Sequence, residues 1–485
     1  MTRRRLEIIL VAAVIAAVAL ALVLRGPAPP ADRADTFVPA DAVVYVHLST
    51  DPGRDLDAEL LARLGRFPAF AALRARAQRA AGAPGTFDLK RDVRSWLGSE
   101  AAFAATARGT MAVLAVADEA RAQGVLRRVA GARPGVRHAG VVVRRFGPNA
   151  AAFVGGFLVV APEALVNQAI DLQQGRGQPL SRLPAYARAA ALRPDDRALD
   201  AWAASGAAYL LLPPRLAGVF SGRPVSASVV PTDAGLRVTV RRLGGASANA
   251  AFAPALVNHV SQNALAYVGL RGLRALGPLL PTVVGDAATG LQGGLDPLLA
   301  ALDGESALSI APATPEPIVT LQARTSDPEA ARVALADLQG VISALLAGSE
   351  DATGQVPAFE DRHLDKGLDG FVLTLAGGGE LVYAVTDGRV IVSNADAGVR
   401  DAAAGSGSVR DAKNFVATVS GVPESALAIG FLQASKLLAL ADEAGLGASP
   451  TYRAARPDLR KIRALGAVVR RRGTDTTLEL NLLIP

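Results

Sequence analysis

Four histidines, His47, His138, His259 and His363, are the chain's whole supply of imidazole, and it contains no cysteine. A hydrolytic Ser-His-Asp site needs one of them beside a nucleophile, yet no G-x-S-x-G elbow occurs. The H-E-x-x-H zinc pattern and the G-x-x-x-x-G-K phosphate loop are absent too. His47 alternates with Tyr45 along an apolar run, where a lone histidine is expected to be hydrogen-bonded or half-exposed rather than a base. Glu360, Asp361, His363, Asp365 and Asp369 crowd one segment, but their spacing fits no calcium loop and Arg362 and Lys366 offset the charge. That segment reads as a solvated turn. Glu100 and Glu305, each close behind a glycine, could form an acid and base pair across two halves of the molecule. The simpler reading is that a residue found in both halves serves the fold both share. No catalytic, cofactor-binding or metal-ligating residue is therefore assigned, and no cofactor is expected.

The elements that would position these residues occur twice. VPADAVVYVHLSTDP (38–52) is answered by SQNALAYVGLRG (261–272), with Tyr267 in the place of Tyr45 and Gly269 in the place of His47. WLGSEAAFAA (96–105) is answered by ALDGESALSI (301–310). In each half a strand then runs into an acidic helix cap, Asp118 or Asp327. Two apolar strands about Gly155-Gly156 and Asp387-Gly388 have the two-residue hairpin signature. A closing hairpin follows in each half, at 225–240 and 465–484. Strands joined by tight turns run antiparallel, so the fold class is α+β: mainly antiparallel sheet with helices packed on it, in two similar copies. The expected boundaries are 37–250 for the first repeat and 251–485 for the second, with GGASANAA (244–251) as the seam.

Ahead of these lies an unbroken apolar run, Ile8 to Leu24, preceded by Arg3, Arg4 and Arg5. At 1.5 Å of rise per residue it reaches roughly 25 Å, the short end of what spans a bilayer. The arginine bias puts the N-terminus on the cytoplasmic side and the bulk of the chain outside the cell membrane. A cleaved signal peptide is the rival, but the small-x-small triplets lie inside the run and Leu24-Arg25-Gly26 makes a poor cleavage site. Residues 1–25 are thus expected to be a cytoplasmic tip and anchor, and 26–36, with three prolines, a stalk.

The chain is 51% hydrophobic with mean hydropathy +0.29, a composition that folds compactly. Its pI of about 10.0 suggests nucleic acid until the charges are located. Outside 1–25 there are 47 basic and 43 acidic residues, and aromatics make up only 5% of the chain, so no nucleic acid is expected as a partner. The doublets Arg144-Arg145 and Arg241-Arg242 and the run Arg470-Arg471-Arg472 fall in or beside expected strands, as solvated edges or as contacts for anionic lipid or wall polymer. Helices rich in Ala and Leu, at 55–81 and 331–347, pack a core or line a groove for an apolar ligand.

The PADA-YV opening (39–46), FDLKRDVRSWLGSE (87–100), the strand entering Asp118 and the GGFLVVAPE hairpin (155–163) resemble the domain-of-unknown-function family 3352 over most of 37–440. That family comprises bacterial, mainly actinobacterial, proteins with an N-terminal membrane segment. The resemblance implies no activity and no catalytic residues. The expected function is a membrane-anchored, extracytoplasmic, non-catalytic binding or interaction module, for an apolar ligand, lipid or envelope partner, held to the bilayer through Ile8 to Leu24. The alternative is an extracytoplasmic hydrolase with a site at the cleft between the repeats.

Overall fold

The computed structural model describes residues 32–51, 63, 65–68, 92–130, 135–212, 220, 222–245, 250–273, 296–314, 316–346, 359–374, 379–386, 388–405, 407–419, 421–443 and 445–484. The expected anchor at 8–24 and nearly all of the expected helix at 55–81 lie outside them, as does Asp387. Among the described residues no helix is long and apolar enough to cross a membrane. The chain divides into two units, 1–246 with 473–477 and 484–485, and 247–472 with 478–483.

Unit 1 carries β1 (Val44–Ser49), β2 (Leu97–Thr106), β3 (Gly109–Val116), α1 (Glu119–Ala130), β4 (Val136–His138), β5 (Val141–Phe146), β6 (Asn149–Val154), β7 (Phe157–Ala161), α2 (Glu163–Gln173), α3 (Pro184–Ala190), β8 (Leu199–Ala203), β9 (Val225–Thr232) and β10 (Gly235–Arg242). Its strands pair antiparallel in the order β4-β5-β6-β7-β3-β2-β1-β8-β9-β10. Gly155 and Gly156, at φ +57° and +82°, supply the two left-handed positions that turn β6 into β7. α1 starts where Asp118 Oδ1 accepts from Arg121 N at 3.0 Å, the cap expected there. α2 buries Leu165, Val166, Ala169 and Ile170, a helical spacing, in the core with Val143, Ala150 and Ala152 of the sheet. α1 buries Ala122 and Leu126 with Ala151 and Leu158 of alternate strand positions. α2 and α1 therefore lie on opposite faces of the sheet.

Unit 2 carries β11 (Ala266–Arg271), β12 (Glu305–Ala311), β13 (Ile318–Arg324), α4 (Pro328–Leu346), β14 (Phe359–Asp365), β15 (Leu368–Thr374), β16 (Glu380–Thr386), β17 (Arg389–Ser393), α5 (Asp396–Ala404), α6 (Lys413–Val419), β18 (Ala428–Leu432), α7 (Ala434–Glu443), α8 (Pro450–Leu459), β19 (Ala464–Arg472) and β20 (Asp475–Leu483), the last from Leu478 onward. Its strands pair as β14-β15-β16-β17-β13-β12-β11-β18-β19-β20. This is the order found in unit 1. Asp327 Oδ1 caps α4 through Ala330 N at 2.9 Å, as Asp118 caps α1. The fold is thus mainly antiparallel sheet with helices, α+β as expected.

Two details depart from the reading of the sequence. Residues 32–36, which composition groups with the stalk, pack into unit 1, with Ala34 and Asp35 buried in a 3-10 turn. Unit 2 inserts α7 and α8 between β18 and β19, where unit 1 connects β8 to β9 without a described α-helix.

Candidate functional site

His47 sits in the middle of β1, flanked by β2 on one side and β8 on the other, with its side chain 1% exposed. It is hydrogen-bonded as expected, but fully buried rather than half-exposed. Around it the fold gathers charge from four segments. Nδ1 faces Asp200 Oδ1 of β8 at 3.3 Å, and Nε2 faces Glu100 Oε2 of β2 at 3.5 Å and Asp32 Oδ1 at 4.0 Å. Arg193, beyond α3, donates to Asp32 Oδ2 at 2.6 Å and pairs with Asp200 Oδ2 at 3.0 Å. Arg197 donates to Asp200 Oδ1 at 2.7 Å. The hydroxyls of Tyr45 and Tyr186 donate to Asp32 at 2.5 and 3.0 Å. Tyr45, Tyr186 and Trp202 stack edge to face beneath, at 5.6 and 5.8 Å between centroids.

Burial alone would lower the affinity of His47 for a proton. The Asp32 carboxylate and the bonds to Asp200 and Glu100 outweigh it and hold the imidazolium up to about 10. Burial likewise raises Asp200, but His47, Arg193 and Arg197 bring it down to about 2. Asp35 is pushed up to about 7 by burial and by the neighbouring Asp32. The carboxylates of Asp32, Glu100 and Asp200 face His47, Arg193 and Arg197, and Arg33 reaches Glu100 Oε1 from the surface at 3.4 Å.

Asp32, His47 and Asp200 place one donor atom each within 4.8 Å of one another, close enough for a cation. The donor set argues against one. A metal takes neutral imidazole, whereas this ring holds both protons, and two guanidinium groups already occupy the carboxylate oxygens. The adjoining cavity, lined by Asp200, Trp202, Ser226 and Ser228 among others, has a volume of about 10 Å³, room for roughly one water and no substrate. The cluster is a sealed network of ion pairs.

The two glutamates singled out in the sequence are caps. Glu100 Oε2 accepts from Arg33 N at 2.8 Å and Ala34 N at 3.2 Å, at the start of the 3-10 turn Ala34–Thr36. Glu305 accepts from Ala255 N at 2.8 Å and Leu256 N at 3.0 Å, at the start of the turn Leu256–His259. Burial raises Glu305, and these two N–H groups partly offset the rise. Each carboxylate is buried and committed to amides of its own unit. The acidic segment at 360–370 forms the β14–β15 hairpin, where His363 and Asp369 pair at 2.8 Å in the open, 70% and 83% exposed. His138 pairs with Asp171 at 2.9 Å, and His259 is lowered by its burial and by Arg389.

Unit 1 also has an open groove of about 390 Å³ between α1 and the strands β5 and β6. Leu126, Val141, Val142, Ala151 and Phe153 line it. The arginine doublet divides here. Arg145 leaves the groove to pair with Glu163, while Arg144, opposite Ala151 in the strand register, lines it. Glu119 at the rim is engaged by Gln123 Nε2 at 2.9 Å. Among the described residues Arg144 makes no hydrogen bond or ion pair.

Sequence reasoning named His47, Tyr45 and Glu100 but missed Asp32, Asp35, Tyr186, Arg193, Arg197 and Asp200. A signal was present: 184–203 aligns with 413–432 without a gap, and there Tyr186, Arg193, Arg197 and Asp200 face Phe415, Val422, Ala426 and Ile429. Four polar residues of one half stand against four apolar residues of the other.

The profile of the family described as "Protein of unknown function (DUF3352)" matches residues 6–267, more than half of the chain, which belongs to that family. Among curated proteins none matches. Crystal form I of TP0453 is similar at 10% identity over 45% of this chain and 82% of that one, with a TM-score of 0.30. Crystal form III covers 76% and 97% at 10% identity, with a TM-score of 0.21. A likeness of this size carries no assignment.

Proposed function

We propose that this member of the family is a membrane-anchored, extracytoplasmic binding module without catalytic activity, built by duplication of one α+β unit, with the groove of unit 1 as its binding site. The groove carries the reading: its volume falls in the range of small-molecule sites, and it sets the apolar side chains Leu126, Val141, Val142, Ala151 and Phe153 beside the polar groups Glu119, Gln123 and Arg144. The anchor rests on the apolar run 8–24 behind Arg3, Arg4 and Arg5. The duplication rests on the shared strand order and on matched glutamate caps. The reading of no catalysis rests on the closure of the His47 cluster, where among the described residues one imidazole meets three carboxylates, Asp32, Glu100 and Asp200.

The reading is tested with the full chain in phosphatidylcholine nanodiscs and an uncharged twelve-carbon alcohol bearing a diazirine. Crosslinks are expected in peptides from 119–126 and 141–153, and Val142→Glu, at a position already 39% exposed, should abolish them. Absent labelling there, or labelling indifferent to the substitution, would overturn the reading.

A further inference from the structure

Resting on the reading of the groove as a binding site, the geometry points to its occupant: we propose a single-chain anionic amphiphile whose head group pairs with Arg144 while its hydrocarbon lies along Val142, Phe153 and Leu126. Three observations carry this. Arg144 is half-buried on β5, and among the described residues nothing pairs with it. Every other arginine of the neighbourhood that borders a carboxylate uses it: Arg145 pairs with Glu163, Arg121 with Asp118 and Arg128 with Asp92. The acid in the groove, Glu119, is exposed and accepts from Gln123 Nε2 at 2.9 Å, so Arg144 is the one charged lining residue whose side chain has no described partner.

A guanidinium set on an apolar wall takes carboxylate or phosphate oxygens in a forked, charge-assisted pair, which gains strength as the groove excludes water. The apolar lining is short. It suits one acyl chain, since about 390 Å³ accommodates little more than a dozen methylene groups at the roughly 27–30 Å³ each occupies, close to the volume of a water molecule. Fatty acid and single-chain phospholipid share this chemistry and differ only in the head.

The test extends the alcohol probe to a set of three diazirine probes of equal chain length, ending in alcohol, carboxylate and phosphate, on the same nanodisc-held full chain. Carboxylate and phosphate should label the groove peptides roughly tenfold more efficiently than the alcohol, the factor that one charge-assisted bond supplies. Arg144→Gln should erase that preference, bringing the three probes to equal efficiency. The stronger of the two anions identifies a fatty acid or a phosphorylated lipid as the source. Equal labelling by all three probes would overturn the proposal and leave the binding reading standing. Failure of all three to label the groove would overturn both.

Discussion

Where β1 of unit 1 carries His47 opposite Asp200, β11 of unit 2 carries Gly269 opposite Ile429. The exchange extends through the neighbourhood. Aligned without a gap over 32–49 and 254–271, Asp32 and Asp35 stand against Pro254 and Val257. The aromatic trio Tyr45, Tyr186 and Trp202 stands against Tyr267, Phe415 and Phe431, which pack at 6.3 and 5.3 Å between centroids. In unit 2 these positions form a hydrocarbon core with Leu256, Val260, Ala264 and Ala426. A Cβ at Gly269 would meet the Tyr267 hydroxyl and, at 2.8 Å, Ile429 Cγ2, so no side chain fits where unit 1 has its imidazole. Two residues of the network occur in both units, the capping glutamate and the tyrosine that is Tyr45 in one and Tyr267 in the other.

The difference separates two roles that sequence alone leaves mixed. The cap serves the fold, because two backbone N–H groups must be satisfied wherever a 3-10 turn is buried against the sheet. The imidazole, its carboxylates and its arginines are not required by the sheet, because unit 2 builds the same strand order on apolar contacts. Buried ion networks generally confer little net stability over hydrocarbon, yet they are costly to break. What the network does locally is bind the 32–35 segment to β1, β2, β8 and the exit of α3.

The largest effect should follow from Asp200→Asn. His47, Arg193 and Arg197 would lose their shared counter-charge, costing unit 1 about 3–5 kcal/mol, the range for breaking a buried pair. Hydrogen exchange read peptide by peptide should show the loss in β1, β2 and β8 and leave β11, β12 and β18 protected. Equal loss in both units would break the contrast drawn between them.

A smaller effect sharpens the comparison at the shared position. Glu305→Ala leaves two amides without an acceptor and should cost about 1–3 kcal/mol. Glu100→Ala removes the same kind of cap and also the carboxylate 3.5 Å from His47, so its cost should be larger in the same exchange experiment. Equal costs would mean that Glu100 contributes nothing to the network of ion pairs.

Much of the fold was legible because its signals are local. Alternating apolar runs, the Gly155-Gly156 turn and the Asp118 and Asp327 caps each depend on a few adjacent residues, and the α+β class followed from them. The network was not legible in the same way, since Glu100 and Asp200 reach His47 only through the strand register and Asp32 only through side-chain bonds to Tyr45, Tyr186 and Arg193. His47 looked ordinary on its strand because its partners lie across the sheet rather than along it. The assignment of 32–36 to a spacer shows the same limit: its composition is polar and proline-flanked, and its burial depends on a glutamate more than sixty residues away.

The most direct measurement follows the imidazole of His47 by NMR on the full chain with isotope-labelled histidine, between pH 5 and 10 and with Zn²⁺ added; the chain has only four histidines to assign. Held up to about 10 in the folded state against an ordinary value near 6.5, the ring adds stability that is complete below pH 6.5 and is lost as pH rises toward 10. Asp35, raised to about 7, weakens unit 1 in the same direction, as pH climbs from about 4 through 7. A sealed network therefore predicts a doubly protonated His47 that stays unchanged through neutral pH, ignores zinc and begins to titrate only as unit 1 loosens in alkali. A ring that titrates near 6.5, or shifts on adding zinc, would contradict it and reopen the cluster as a reactive or metal-binding site.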